Sequence, residues 1–274
     1  MRASIVLCST MLFLGACSGS PDDRKDGGDT DVTDETGTPD TTDTDTDTVP
    51  GEDRSAALGG TIATLDGPYA DVALRLCRGS ACRNATSDAS GAYHYAEVAV
   101  DWFSFEVVPP SGSGYATPFA PLEFHTDEAR VVDVIMLRHD PASSLGATAA
   151  EHETGDGLFV TAGVADLVPP LLAEPATEVS GVIVPEAQRV PVDGITGTVL
   201  GMWYVEPFNY AAANGGLPAR FEDAWGLADG TELEVYVGSY DESAWLPAGT
   251  ATVSGGQITG AALPLLSTVI LVQP

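Results

Sequence analysis

From Ala56 onward, apolar and polar residues alternate in short runs with a period of two. Val72, Leu74 and Leu76 alternate with Ala73, Arg75 and Cys77. Tyr93 and Tyr95 flank His94. Phe103, Phe105 and Val107 alternate with Ser104, Glu106 and Val108, and Val132, Val134 and Met136 close the stretch. Such alternation gives a strand one face for a core and one for water. Asp66-Gly67-Pro68, Asp88-Ala89-Ser90-Gly91 and Pro109-Pro110-Ser111-Gly112 mark turns between the runs. Residues 56–141 are therefore expected to form about seven short strands in an antiparallel sandwich. Residues 142–154 are polar and read as an interdomain linker. The pattern resumes over 155–274, with a long run from Ile195 to Val205. Leu233, Val235 and Val237 face inward against Glu232, Glu234 and Tyr236, and an apolar strand runs from Ser267 to Val272. Helical periodicity is nearly absent. The expected fold class is all-β, with two antiparallel β-sandwich domains, 56–141 and 155–274.

The first 55 residues follow a different rule. Arg2 precedes an apolar stretch, Ile5 to Leu14, that is too short for a stable membrane span. Leu14-Gly15-Ala16-Cys17 then resembles the bacterial lipoprotein box. That resemblance implies a signal peptide over 1–16, cleavage before Cys17, and membrane attachment through a diacylglyceryl thioether on Cys17 and an acylated (palmitate-type) amino terminus. Ser18, rather than Asp, follows the cysteine, which by resemblance to Gram-negative sorting implies the outer membrane. Residues 18–55 hold 13 acids and 3 bases, and the run Thr41-Thr42-Asp43-Thr44-Asp45-Thr46-Asp47-Thr48 is of low complexity. So little apolar surface cannot offset chain entropy, and 17–55 is expected to be a disordered, acidic tether.

Charge narrows the partners. Residues 56–274 carry 27 acids against 7 bases, all Arg, and the only Lys in the chain is Lys25. Nucleic acid is excluded as a natural partner, because binding phosphates needs basic surface. Envelope proteins or polysaccharide fit better. Cys77 and Cys82 bracket Arg78-Gly79-Ser80-Ala81, which reads as a tight hairpin turn. A disulfide across it suits an oxidising compartment, and two free thiols are the alternative.

Gly60-Thr61-Ile62, Asp66-Gly67-Pro68, Ala70-Asp71-Val72-Ala73-Leu74, Thr86-Ser87-Asp88-Ala89-Ser90-Gly91-Ala92-Tyr93 and Phe105-Glu106-Val107 together resemble the carboxypeptidase regulatory-like, transthyretin-like family. The resemblance spans most of 58–138. It implies a non-catalytic β-sandwich whose Tyr93 enters the core. Val100-Asp101-Trp102-Phe103 departs from that family's Gly-Tyr-Tyr approach to its strand. Residues 217–272, with Gly230-Thr231 and Trp245-Leu246-Pro247-Ala248-Gly249-Thr250, resemble a β module of large bacterial surface proteins.

Candidate chemistry is sparse. His94-Tyr95-Ala96-Glu97 and His125-Thr126-Asp127-Glu128 both spell His-x-x-Glu. On a strand, residues three apart face opposite ways and cannot chelate one ion together. No Gly-x-Ser-x-Gly or phosphate-binding glycine loop occurs, so neither an enzyme nor a cofactor is expected. Trp203, Tyr204, Phe208 and Tyr210 are the candidate binding residues. Beside Glu206 and Asn209 they could stack a sugar, or they could fill a doubly buried strand and its capping loop. Exposure separates the two readings.

Overall fold

The computed structural model describes residues 51–274. The segment expected to be a signal peptide, Cys17 and most of the expected tether lie outside the described residues. The described residues form one compact unit, whose regular structure is almost entirely β-strand.

Its first part packs two sheets. Strand β1 (Ala56–Thr64) pairs antiparallel with β4 (Ala92–Val98) and parallel with β7 (Ala129–Val131) and β8 (Val134–Ile135). The facing sheet runs β3 (Ala81–Thr86), β2 (Ala73–Arg78), β5 (Trp102–Val108), β6 (Phe119–Glu123). Leu58 and Ile62 of one sheet meet Leu74, Leu76, Phe105 and Val107 of the other, all fully buried. Tyr93 is buried as expected. Its ring stacks on Phe105 at 5.7 Å, and its hydroxyl donates to the Val132 carbonyl at 2.7 Å. Asp88 shapes the turn before it: Oδ1 accepts from the backbone N–H groups of Ser90 and Ala92 and from the Ser90 hydroxyl. Gly91 completes the turn at φ +78°, where a Cβ would lie 2.2 Å from the Ile62 oxygen.

The second part has a ten-stranded antiparallel sheet and a small three-stranded one made by Leu167–Val168, Tyr210–Ala212 and Leu265–Leu266. The large sheet comprises β9 (Ser143–Ser144), β10 (Ala150–Glu153), β11 (Leu158–Ala162), β12 (Glu178–Ile183), β13 (Thr198–Glu206), β14 (Leu217–Glu222), β15 (Glu232–Ser239), β16 (Ala244–Ser254), β17 (Gln257–Leu263) and β18 (Thr268–Gln273). In space the order is β9-β12-β13-β18-β15-β16-β17-β14-β11-β10. One face surrounds a second core that includes Trp203, Phe221, Leu233, Val235, Val237, Val269 and Leu271. The polar segment 142–154 supplies both edges of this sheet, β9 and β10. Edge pairing uses backbone groups and tolerates polar side chains, so a composition that reads as a linker also suits an edge.

The two parts share a core. Met202, Tyr204, Ile270 and Val272, on the other face of β13 and β18, join the first cluster together with Val184 and Val190. Asp193, on the segment between β12 and β13, accepts from Glu123 N–H at 2.9 Å and pairs with Arg130 at 2.6 Å. The Thr268 hydroxyl donates to the Phe119 carbonyl at 2.7 Å. The β15–β16 turn lies on the outer face of β5, where the Ser104 hydroxyl donates to the Tyr240 carbonyl at 2.6 Å. Strand β5 is consequently covered on both faces, and Ser104 and Glu106 are buried. At the other end, Glu52 pairs with Arg54 and Arg78, and Asp53 accepts from Ser55 and Thr126. The last residues assigned to the tether by composition are thus held on the β body.

Candidate functional site

The Cys77–Cys82 disulfide is formed. The two cysteines are directly opposed across the β2–β3 hairpin, and Gly79 at φ +57° opens its turn. Cys77 is fully buried, and the Tyr240 hydroxyl lies 2.8 Å from its sulfur. The bridge therefore faces the junction of the two parts.

The aromatic quartet does not make a platform. Trp203 and Tyr204 are adjacent on a strand and point to opposite sides. Trp203 is 1% exposed and packs on Phe221 at 5.2 Å and edge-on to Trp225 at 6.4 Å. Its indole N–H donates to the Asp156 carbonyl at 3.1 Å. Tyr204 is fully buried in the other core, and burial raises its hydroxyl pKa. Phe208 is half-buried against Phe119 and Tyr240 at 5.4 and 6.3 Å. Tyr210, also half-buried, donates its hydroxyl to the Glu174 carbonyl at 2.5 Å. The alternative weighed from the sequence, a doubly buried strand with an aromatic-capped loop, describes the arrangement. The run Met202–Val205 is apolar on both faces because it separates two cores.

The His-x-x-Glu pairs are likewise occupied otherwise. His94 is exposed on β4, and Glu97 sits at φ +52°. Glu128 accepts from His125 N–H at 2.9 Å, closing its own turn. Among the described residues, no three His, Cys, Asp or Glu side chains converge on a metal-sized space.

A crevice of about 320 Å³ opens at the junction, lined by Tyr115, Thr117, His139, Glu178, Ser180 and Glu206 among others. That volume is at the low end of ligand pockets, roughly 300–1,000 Å³. Glu206 ends β13. Its Oε1 accepts from Thr117 N–H at 2.7 Å and its Oε2 from Phe208 N–H at 2.8 Å. Burial raises its pKa, opposed by those donors and by nearby His139. His139 Nδ1 is 2.9 Å from the Asp140 carbonyl. Arg138 lies over the Tyr115 ring at 4.6 Å, and Tyr69 packs on that ring at 5.5 Å. The crevice thus offers hydrogen-bonding groups and little free aromatic face. A second hollow, of about 460 Å³, lies on the outer face of β11, β14 and β17. There Arg220 makes a two-pronged pair with Glu151 and covers Phe159 at 3.7 Å.

Glu106, buried, has no role in the sequence reading, and Glu206, half-buried, figures there only as a neighbour of the aromatics. Each is an acid within or ending a mostly apolar run, Trp102–Val108 and Met202–Glu206, and that interruption is the signal in the sequence. Glu106 sits opposite Arg75 in the ladder and pairs with it at 3.4 Å. Desolvation raises its pKa and Arg75 opposes the shift.

No family model and no curated protein matches the chain. Among solved structures, it is similar to a candidate carbohydrate binding protein from Bacteroides uniformis at 8% identity, over 81% of this chain and 80% of that one, with a TM-score of 0.25. A DUF3823 family protein from Parabacteroides merdae aligns at 10% identity over 77% and 98%, with a TM-score of 0.26. The Bacillus anthracis TIE protein aligns at 11% identity over 79% and 47%, with a TM-score of 0.27. At these scores the likenesses assign neither family nor ligand, and the all-β fold stands on the strands and sheets themselves.

Proposed function

We propose that this chain is a non-catalytic lipoprotein of the cell envelope, held by lipid on Cys17 at an outer membrane. It displays its β body on an acidic tether for a structural or protein-interaction role. The observation that carries the reading is Leu14-Gly15-Ala16-Cys17 followed at once by a spacer of acids and threonines. The body supports it: the aromatics and carboxylates that could have formed a site mostly close the seam between its two parts. Fatty-acid labelling in cells tests the anchor. The full chain is expected to take up label and partition into detergent, and Cys17→Ser to lose both. Label retained by Cys17→Ser, or absent from the native chain, refutes the anchor.

Polysaccharide binding is the second reading, and the burial of Trp203 and Tyr204 moves it to the Glu206 crevice. Its hydroxyls, imidazole and carboxylate suit a hydroxylated ligand. A glycan array of the full chain beside Glu206→Gln tests this; a glycan bound equally by both forms places recognition elsewhere.

A further inference from the structure

We propose that residues 168–173 form a rigid apolar tip that seats in a zwitterionic lipid surface, a use that rests on the lipid-anchor reading. Val168-Pro169-Pro170-Leu171-Leu172-Ala173 contains no charge and no hydrogen-bonding side chain. Leu171 and Leu172 are 93% and 96% exposed, and Val168 is 47% exposed. Ala173 N–H donates to the Pro170 carbonyl at 3.0 Å, closing a turn in which Leu172 has φ +68°. Turns of this hand favour Gly or Asn at that position, and a leucine there is strained. The other non-glycine residues with positive φ among the described residues are Asp71, Glu97, Asp127, Asn209 and Ser243, all polar. Here a leucine stands where glycine fits better, and its side chain is open to solvent. Strain of this kind points to function.

The tip is braced from both sides. Leu167–Val168 pairs with Tyr210–Ala212, and the Tyr210 hydroxyl holds the Glu174 carbonyl. Leu65 and Val131 are also exposed, but each stands alone beside charged neighbours, which is ordinary for a protein surface. A convex, uncharged knob needs no matching pocket to enter a lipid interface. Residues 18–50 separate Cys17 from the described body, and a coil of that length spans roughly 30 Å. The anchor therefore holds the body close to the bilayer. A weak second contact becomes effectively intramolecular, and one lipid contact plus a second apolar one is what stable attachment requires. Asp166, Glu174 and Glu178 lie near the tip in sequence, and the body is strongly acidic, which selects zwitterionic over anionic lipid.

The test places an environment-sensitive fluorophore on Leu172→Cys in the full lipidated chain, reconstituted on phosphatidylcholine vesicles. Cys77 and Cys82 are bridged, so the new thiol takes the label. The expected result is a blue shift and several-fold protection from an aqueous quencher, neither seen with the label on Leu65→Cys. Leu171→Asp removes the protection, and anionic lipid reduces it. Leu172→Gly, which relieves the backbone strain, keeps the fold and weakens attachment of the unlipidated chain to vesicles. A label at 172 as quenchable as one at 65, on protein shown by fatty-acid uptake to be anchored, overturns the proposal. If no fatty acid is incorporated, the anchor reading fails by itself. Vesicles added to the unlipidated chain, with Cys8 and Cys17 replaced by Ser so that only position 172 takes the label, then decide the tip, and no shift at saturating lipid overturns it.

Discussion

Trp203→Ala is expected to damage the fold and leave any surface recognition to other residues. Trp203 is 1% exposed, between Phe221 and Trp225, and its N–H is spent on the Asp156 carbonyl. A buried aromatic of this class removes roughly 150–250 Å² from water. At roughly 25 cal/mol per Å² that is about 4–6 kcal/mol, an upper bound because the unfolded chain is not fully extended. Measured truncations of buried Trp or Phe to Ala cost roughly 3–5 kcal/mol, and the hydrogen bond adds about 1 kcal/mol. A loss of about 4–5 kcal/mol is large against a usual total of roughly 5–15 kcal/mol. With a urea slope of about 3 kcal/mol per M, the midpoint falls by about 1.5 M. Trp203→Phe keeps most of the ring contact and loses the N–H, so its cost is about 2 kcal/mol and its shift about 0.7 M. Urea unfolding followed by circular dichroism avoids relying on the altered fluorophore. An Ala variant with a native midpoint that had lost binding to an envelope polysaccharide would refute the burial argument and restore an exposed platform.

Replacing both Cys77 and Cys82 by Ala is expected to cost about 2 kcal/mol, since the bridge closes only a short loop; thiol titration of untreated protein should find neither cysteine. Gly91→Ala and Gly112→Ala both force alanine into positive φ, but only Gly91 has a backbone oxygen 2.2 Å from the new Cβ. Gly112→Ala should cost about 1–2 kcal/mol and Gly91→Ala at least about 2 kcal/mol more by thermal unfolding; equal losses refute the close-approach argument. Glu206 gives a pH prediction with a definite sign. Its folded pKa is raised, chiefly by burial, so between the unfolded carboxylate value, about 4.3, and the folded one the native state holds a proton the unfolded chain has released. Stability from this group is greatest below the unfolded value and falls as pH rises through that window. Glu206→Gln should flatten the fall in urea midpoint over the same window; an unchanged slope refutes it.

Much of the β pattern was open to reading along the chain. Leu74 and Leu76, and Leu233 to Val237, take the alternating burial that period two implies, because a pleated strand leaves only two sides. Tyr93 enters the core, and Cys77 pairs with Cys82, because local turns align them. What was hidden depends on contacts distant in sequence. The outer face of β5 carries Ser104 and Glu106, which look solvent-facing until the Tyr240 turn, more than a hundred residues later, covers them. The long run from Ile195 was expected to begin a strand, yet the strand begins at Thr198, after Gly197 at φ +108°. The aromatic quartet misled for a related reason. An apolar strand buried on both faces and an aromatic binding strip have the same composition, and only the sheet on each side distinguishes them.

That distinction bears on whether residues 56–141 can stand alone. The sequence pattern suggests two independent sandwiches, each with its own core. In the structure the first cluster also draws on Val184, Val190, Met202, Tyr204, Ile270 and Val272, all contributed by later chain. Removing that chain would uncover Phe119, Ser104, Glu106 and Cys77, which are at most 5% exposed in the whole body. It would also leave the Asp193 partners, Arg130 and the Glu123 N–H, without their carboxylate. A domain of this length can be stable alone when its core is complete, but this one would lack the residues that the later chain contributes. The full chain should therefore unfold in one calorimetric transition, and a 51–141 fragment should bind hydrophobic dye and lack dispersed amide resonances. Two separate transitions, or a well-dispersed spectrum from the fragment, would mean that the shared cluster is a contact between finished domains rather than a common core.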